Sequence, residues 1–299
     1  MYSPSMIDRI ERAAPVAPAV RLLETYTCEC FPGDRTLSRL SPTASDRISS
    51  VMLPQPPGRD RDSLLQLAMK LRDIGLAPVP HLAAREFSDL DDLGSFLAKL
   101  VDVGGVREVV VVGGDRSEPV GKFSGAMDLL KTGLFEAHGI TRIGVAGYPE
   151  DHPFIPDDIL LDRLYQKQRW AAYSGVEMYV LSQICFDPRR IVNWLRYLRE
   201  IGINLPVRVG LAGAMPLARI IELAGRCGAG GSVRHLFADN HHATAGQIYF
   251  PQREVIELAT EWMNDGTLNL QGVHFYPFGF LSRTLNWIES VHRGSRKSS

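Results

Sequence analysis

The residues able to carry chemistry stand where short apolar runs end. Glu29, in Cys28-Glu29-Cys30-Phe31-Pro32, is a carboxylate among apolar neighbours. A buried charge is costly unless paired, so Glu29 reads two ways: as an acid serving a site, or as the partner of an arginine between strand and helix. His81 closes Pro78-Val79-Pro80-His81 and is either a site contact or a satisfied core histidine. Gly113-Gly114-Asp115-Arg116 offers a close backbone approach and exposed N–H donors, as phosphate or flavin sites require. The same string also makes an ordinary turn. In Gly147-Tyr148-Pro149-Glu150-Asp151-His152-Pro153 an aromatic ring, two acids and a histidine are held by two prolines, which cut the entropy of ordering the loop. Packing does not ask for such a loop; a site does. Glu150, Asp151 and His152 are adjacent, so their side chains diverge, and no second cluster completes a metal site. Gln183, after Leu181-Ser182, can both donate to and accept from a flat heterocycle with amide edges, or simply occupy a turn. His241-His242, beside Asp239-Asn240, reads as a solvated loop.

Those residues need elements to hold them. Strands are expected over residues 25–31, 47–53, 77–82, 108–112, 142–146, 177–183, 206–211 and 271–276. Between them come helical patterns over 63–74, from the cap residue Ser88 to 101, over 124–137, within 157–173, over 188–201, 216–227 and 252–265, and a closing helix over 281–292. The run Glu108–Val112 is unbroken and β-branched, as in a strand buried on both faces of a parallel sheet. Alternating strands and helices without a Gly-rich dinucleotide fingerprint favour a single (β/α)8 TIM barrel over an open sheet, and such barrels place their sites at the C-terminal strand ends. Residues 1–24 are read as an extension that caps the barrel or hangs loose, 25–292 as the barrel, and 293–299 as a disordered tail.

The chain has 299 residues, 45% hydrophobic and 22% charged, with a formal net charge of −1. That length suits a barrel of roughly 250 residues, and that charge gives no field for nucleic acid or an anionic membrane. Neither a signal peptide nor a run of about 20 apolar residues is seen. Cys28, Cys30, Cys185 and Cys227 have no metal-ligand spacing and read as free thiols of a cytoplasmic protein. Hydrolase-elbow, P-loop and zincin patterns are missing. So is the strand-end lysine that a Schiff-base aldolase would need.

Taken in order, the strand-end pieces resemble the methylenetetrahydrofolate reductase family. They are E-x-F-P at Glu29 to Pro32, P-H-L at Pro80 to Leu82, and G-D at Gly114-Asp115. They continue with A-G-Y-P-E-x-H-P at Ala146 to Pro153, S-Q-x-x-F-D at Ser182 to Asp187, and H-F-Y at His274 to Tyr276. The resemblance runs from Tyr26 to the last helix. It implies FAD over the strand ends, contacted by His81, Gly113, Gly114, Asp115, Ala126, Tyr148, His152 and Lys167. It makes Glu29 and Asp115 the catalytic residues, the first as the acid for the folate iminium and the second tuning flavin and folate. Gln183 and Tyr276 would bind the folate. The reaction implied is hydride transfer between 5,10-methylene- and 5-methyltetrahydrofolate, with NADH or NADPH as electron donor, serving methionine biosynthesis. A flavin-free nicotinamide reductase and a non-catalytic folate-binding barrel are the alternatives; a homo-oligomer is left open. The sequence departs from the family at Gly113 (usually Arg), Val51 (Thr), Ala171 (Lys, with Lys167 one helical turn away) and Phe278-Gly279-Phe280 (Leu-Asn-Arg). The lost cations should weaken pyrophosphate binding.

Overall fold

The computed structural model describes residues 17–33, 40, 47–58, 60–150, 152–238 and 246–296. Its strands are β1 (Tyr26–Glu29), β2 (Ile48–Leu53), β3 (Pro78–Ala83), β4 (Glu108–Val112), β5 (Arg142–Gly147), β6 (Glu177–Ser182), β7 (Val207–Ala212), the short β8 (Met215–Pro216) and β9 (Ile248–Tyr249), and β10 (Leu270–Tyr276). Eight of them close a barrel in the order β1-β10-β7-β6-β5-β4-β3-β2, with every adjacent pair parallel. The expected barrel is therefore observed. The β8–β9 ladder, antiparallel and outside the barrel, was not expected.

The helices are α1 (Ala17–Leu22), α2 (Arg61–Asp73), α3 (Leu90–Asp102), α4 (Ala126–Leu130), α5 (Leu134–Ala137), α6 (Asp157–Ser174), α7 (Pro188–Glu200), α8 (Leu217–Cys227), α9 (Gly230–Ala238), α10 (Gln252–Asn264) and α11 (Leu281–Arg296). Most of the long ones turn an apolar stripe to the barrel, in α3 Leu93, Phe96, Leu97 and Leu100; α6 fully buries only Leu164. The cap of α3 is Asp89, whose carboxylate accepts from Asp92 N at 2.9 Å; Ser88, the expected cap, donates its own N–H to Asp92 instead. Losing such a cap costs about 1 kcal/mol. The single helix expected over 124–137 is broken into α4 and α5. Thr132 Oγ1 donates to Leu129 O at 2.7 Å, and Gly133 turns left-handed at φ +72°, so the helical ladder stops there. The closing helix runs to Arg296, past the expected end at His292. Residues 1–16, 239–245 (with His241-His242) and 297–299 lie outside the described residues. Among those described, no helix is long and apolar enough to cross a membrane.

Alternation decides which side chains enter the barrel. Tyr26 meets Phe275 edge-on, and Phe275 meets Trp287 of α11, so these face the helices together with Cys28 and the main core. The inward set is separate. Met52, Val79, Val110, Tyr179 and Leu181 form its apolar filling. Gly144 leaves room for Tyr179, whose Cζ would lie 2.7 Å from an added Cβ.

Candidate active site

Above that apolar filling, toward the C-terminal strand ends, the interior turns polar. Since Tyr26 and Cys28 face outward, Thr27 and Glu29 point in. Thr27 Oγ1 is hydrogen-bonded to His274 Nδ1 at 2.8 Å, and His274 is fully buried. Glu29 is buried too, and it points into the barrel rather than between strand and helix, where the alternative arginine pairing would have placed it. Burial pushes its carboxyl up to about 8, because desolvation disfavours the charged form. His81 enters from β3, where burial lowers it to about 4. Burial also lowers His274 well below the usual imidazole range, helped by the proximity of His81 and then of Arg208 on β7. Both imidazoles are therefore neutral, and the buried Nε2 of each makes no hydrogen bond to the described residues.

Tyr276 completes this side. The β1–β10 register pairs Thr27 with His274 and Cys28 with Phe275, so Tyr276 stands next to Glu29. Its ring meets His274 edge-on at 4.5 Å, and its hydroxyl donates to Ser182 O on β6 at 2.9 Å. To reach β6 the ring crosses β7 at Gly210, where an added Cβ would lie 2.5 Å from Tyr276 Cε2. Gln183, just past β6, donates its N–H to Gly147 O at 2.7 Å and accepts from Ile184 N at 2.9 Å. That leaves its amide NH2 for a ligand.

Across the mouth, β4 runs into the glycine pair. Gly114 is left-handed at φ +94°, and an added Cβ would sit 2.9 Å from Ala83 Cβ, so only glycine fits. Gly113, by contrast, has open space around it, and its carbonyl accepts from Arg85 N at 3.1 Å. Asp115 is exposed and close enough to Tyr148 and His152 to act on both. Burial chiefly, with Asp115 adding to it, pushes the Tyr148 hydroxyl up to about 12. Burial lowers His152, which Asp115 opposes. The two rings meet edge-on at 5.0 Å. His152 Nδ1 accepts the N–H groups of Phe154 and Ile155, each at 3.1 Å, which leaves the ring proton on Nε2. Ala126 opens α4 and is buried.

The cations near the loop are committed to the protein. Arg116 makes a two-point pair with buried Glu86 at 2.9 and 3.1 Å. Arg85 donates to Arg116 O at 2.9 Å and to Ser124 O at 3.0 Å. Lys167 reaches the same loop from α6. It lines a cavity of about 140 Å³ with Tyr148, Arg163 and Trp194, and burial lowers its amine to about 8. Glu150, weighed above as a metal ligand, instead accepts from Ser232 N at 3.0 Å and from its hydroxyl, tying the loop to α9. Val51 is buried facing the helices, so the residue at that departure does not line the mouth.

Thus Glu29, His81 and Tyr276 share one side, Asp115, Tyr148 and His152 another, with Gln183 between them. Thr27 and His274 were missed as members of the acid's surroundings, although strand alternation from Tyr276 places His274 inward. Residues 39–230 match the family model described as Methylenetetrahydrofolate reductase; Glu29, His274 and Tyr276 lie outside that stretch. A Saccharomyces cerevisiae protein named methylenetetrahydrofolate reductase 2 is 35% identical over 98 residues, 32% of this chain and 15% of that protein. A Caenorhabditis elegans protein named probable methylenetetrahydrofolate reductase (NADPH) is 25% identical over 211 residues, 68% of this chain and 30% of that one. The chain thus spans less than a third of the length of these relatives. Among solved structures, an uncharacterized Clostridium thermocellum protein, described as binding two copies of 5-methyl-5,6,7,8-tetrahydrofolic acid, shares the fold. It has a TM-score of 0.56 and 12% identity, with 93% of this chain and 96% of that chain covered.

Proposed function

The chain belongs to the methylenetetrahydrofolate reductase family, and from that premise we propose that it is an oxidoreductase of a folate-bound one-carbon unit, interconverting 5,10-methylene- and 5-methyltetrahydrofolate. The observation that carries this reading is Glu29, a buried acid held up to about 8 at the barrel mouth and so protonated at neutral pH. An acid serving the methylene folate must hold a proton to give. Glu29 gives it to N10 as the bond from N10 to the methylene carbon breaks. The iminium left on N5 then accepts a hydride at that carbon and becomes the methyl group. Exposed Asp115 places a negative charge beside the mouth, favouring the cationic iminium. The amide of Gln183 and the ring of Tyr276 orient the pterin. In the reverse direction Glu29 takes the proton back.

FAD, when bound, supplies the hydride, and NADH or NADPH restores it. The residues present suit the flavin ring system. The buried Nε2 of His81 lacks a protein partner, the Gly113-Gly114 backbone allows close approach, and His152 offers an Nε2–H donor. Ala126 and Tyr148 would flank it, with Lys167 as the cation toward the phosphates. A second reading, direct transfer from NADH or NADPH to folate without flavin, is favoured by one observation: Arg85 and Arg116 are already spent on Ser124, Arg116 O and Glu86. A folate binder without catalysis would have no use for a protonated acid at this depth.

The test is the absorption spectrum of the purified protein, followed by anaerobic addition of 5-methyltetrahydrofolate and, separately, NADH. A flavin band bleached by the folate supports the full reading, and bleaching by NADH adds the donor. A colourless protein that oxidises NADH only with methylenetetrahydrofolate present moves the assignment to the flavin-free reading. No turnover in either format refutes both.

A further inference from the structure

The chain leaves β10 through a tight turn, Pro277-Phe278-Gly279-Phe280, closed by Phe280 N donating to Pro277 O at 2.8 Å. Both central residues are left-handed, Phe278 at φ +43° and Gly279 at φ +89°. This is the turn type in which asparagine and glycine fill the central positions, because a Cβ is strained at positive φ. A bulky aromatic at the first of them is an outlier, and strain held at a bulky residue points to a use for its side chain. The Phe278 ring stacks on Tyr276, with centroids 6.0 Å apart and planes inclined by 23°. Tyr276 is itself pinned, by its hydroxyl on Ser182 O and by the gap that Gly210 leaves. Phe278 is half-buried, packed in part against the apolar cluster that includes Phe186, Met215 and Tyr249, so it keeps some surface for a further contact. It follows the C-terminal end of β10, beyond Tyr276 and the level of Glu29.

We propose that Phe278 determines specificity: its ring extends Tyr276 into an aromatic shelf that takes the face of the aminobenzoyl ring of the folate. The inference rests on the folate reading above and adds to it the residue that recognises the part of the substrate outside the pterin. The order along the chain suits this division. The reacting carbon lies between the pterin and the aryl nitrogen, so the aryl ring must extend outward from the level of the acid. A flat apolar shelf rewards an aryl face and is indifferent to a pterin held deeper by Gln183.

The test is titration of the purified protein, with whatever cofactor it carries, with 5-methyltetrahydrofolate and with a 5-methyltetrahydropterin lacking the aminobenzoylglutamate. The variants are Phe278→Asn, which suits the turn, and Phe278→Leu, which keeps an apolar side chain without a flat face. For Phe278→Asn the thermal midpoint does not fall, while Kd for the folate rises about tenfold and that for the pterin is unchanged, as loss of one aromatic stacking contact predicts. Phe278→Leu weakens folate binding in the same selective way. A lowered midpoint with unchanged folate Kd would make Phe278 a packing residue and overturn the proposal. So would equal losses for both ligands. If Phe278→Asn does not fold, Phe278→Leu decides on the same criteria. Failure of the unsubstituted protein to bind either ligand refutes the folate reading and the shelf with it. Normal binding by that protein with unaltered variants refutes the shelf alone.

Discussion

Replacing Glu29 with Gln tests the central argument through stability as well as activity. In the unfolded chain this carboxyl titrates near its ordinary value of 4.5, and in the folded chain near 8. Between those values the folded protein holds a proton that the unfolded chain has released. Stability contributed by Glu29 is therefore full below the lower value and lost as pH rises toward the upper one. The rate of loss is about 1.4 kcal/mol per pH unit. From about pH 5.5 to about pH 8.5 the expected loss is roughly 3 kcal/mol. The groups facing Glu29 from β3 and β10, His81 and His274, are neutral across that range and give no compensating cation. Glu29→Gln keeps the shape and removes the titration. Urea unfolding of both proteins at several pH values should show near-equal stability at the acid end. At the alkaline end the variant should be more stable by roughly 3 kcal/mol, and the difference between curves isolates this one group because all others titrate alike in both. Reduction of methylenetetrahydrofolate by the parent should fall above pH 8 as Glu29 ionises. In Glu29→Gln it should be lower by about 10² to 10⁴ at every pH. A stability difference that is flat with pH would refute the buried-acid argument, and with it the proton source of the proposed reaction.

Two further substitutions separate scaffold from site. Gly114→Ala places a Cβ 2.9 Å from Ala83 Cβ on a left-handed backbone; it should cost about 1 to 3 kcal/mol in urea unfolding and release bound flavin, read by absorbance after gel filtration. Lys167→Met should act in the opposite sense on stability. The amine titrates near 8 when folded against 10.5 ordinarily, so its burial penalty is present at neutral pH and vanishes above the higher value. The variant should gain about 3 kcal/mol near pH 7 and nothing above about pH 10.5. Its affinity for FAD should drop if the lysine serves the phosphates.

The sequence was most informative where one local force dominates. Glu108–Val112 is a strand because β-branched residues bury well on both faces, and Gly114 is a glycine because nothing else fits against Ala83. What escaped was set by neighbours distant in the chain. Thr27 and His274 meet only once β1 and β10 close the barrel. Arg116 is claimed by Glu86, just past β3, a pairing between segments 30 residues apart that local sequence does not announce. The break between α4 and α5 turned on one threonine hydroxyl competing for a carbonyl, which helical spacing does not register.

These surroundings bear on why a neutral mouth suits the proposed chemistry. Glu29, His81, His274 and Tyr148 are all held in their uncharged forms by burial. Arg85 and Arg116, on the β3 and β4 side of the mouth, are committed to protein partners, and the arginine that acts on His274 is Arg208, buried on β7. When Glu29 protonates N10 and the methylene bridge opens, a carboxylate and an iminium are born together in a medium of low dielectric. Separately, either charge would be expensive there; as a pair at close range they offset much of each other's desolvation. An arginine or a charged histidine in the same layer would ionise Glu29 in advance and remove the proton that the step requires. The departure at Gly113, where the family carries Arg, then has two consequences of opposite sign. On the flavin reading it would remove a cation from the cofactor phosphates, and it would keep that cation's field away from the acid. Gly113→Arg should accordingly tighten FAD binding and move the falling limb of the activity profile from about 8 toward lower pH, since a nearby positive charge favours the carboxylate. An unchanged limb with tighter flavin would show that position 113 acts on the phosphates alone.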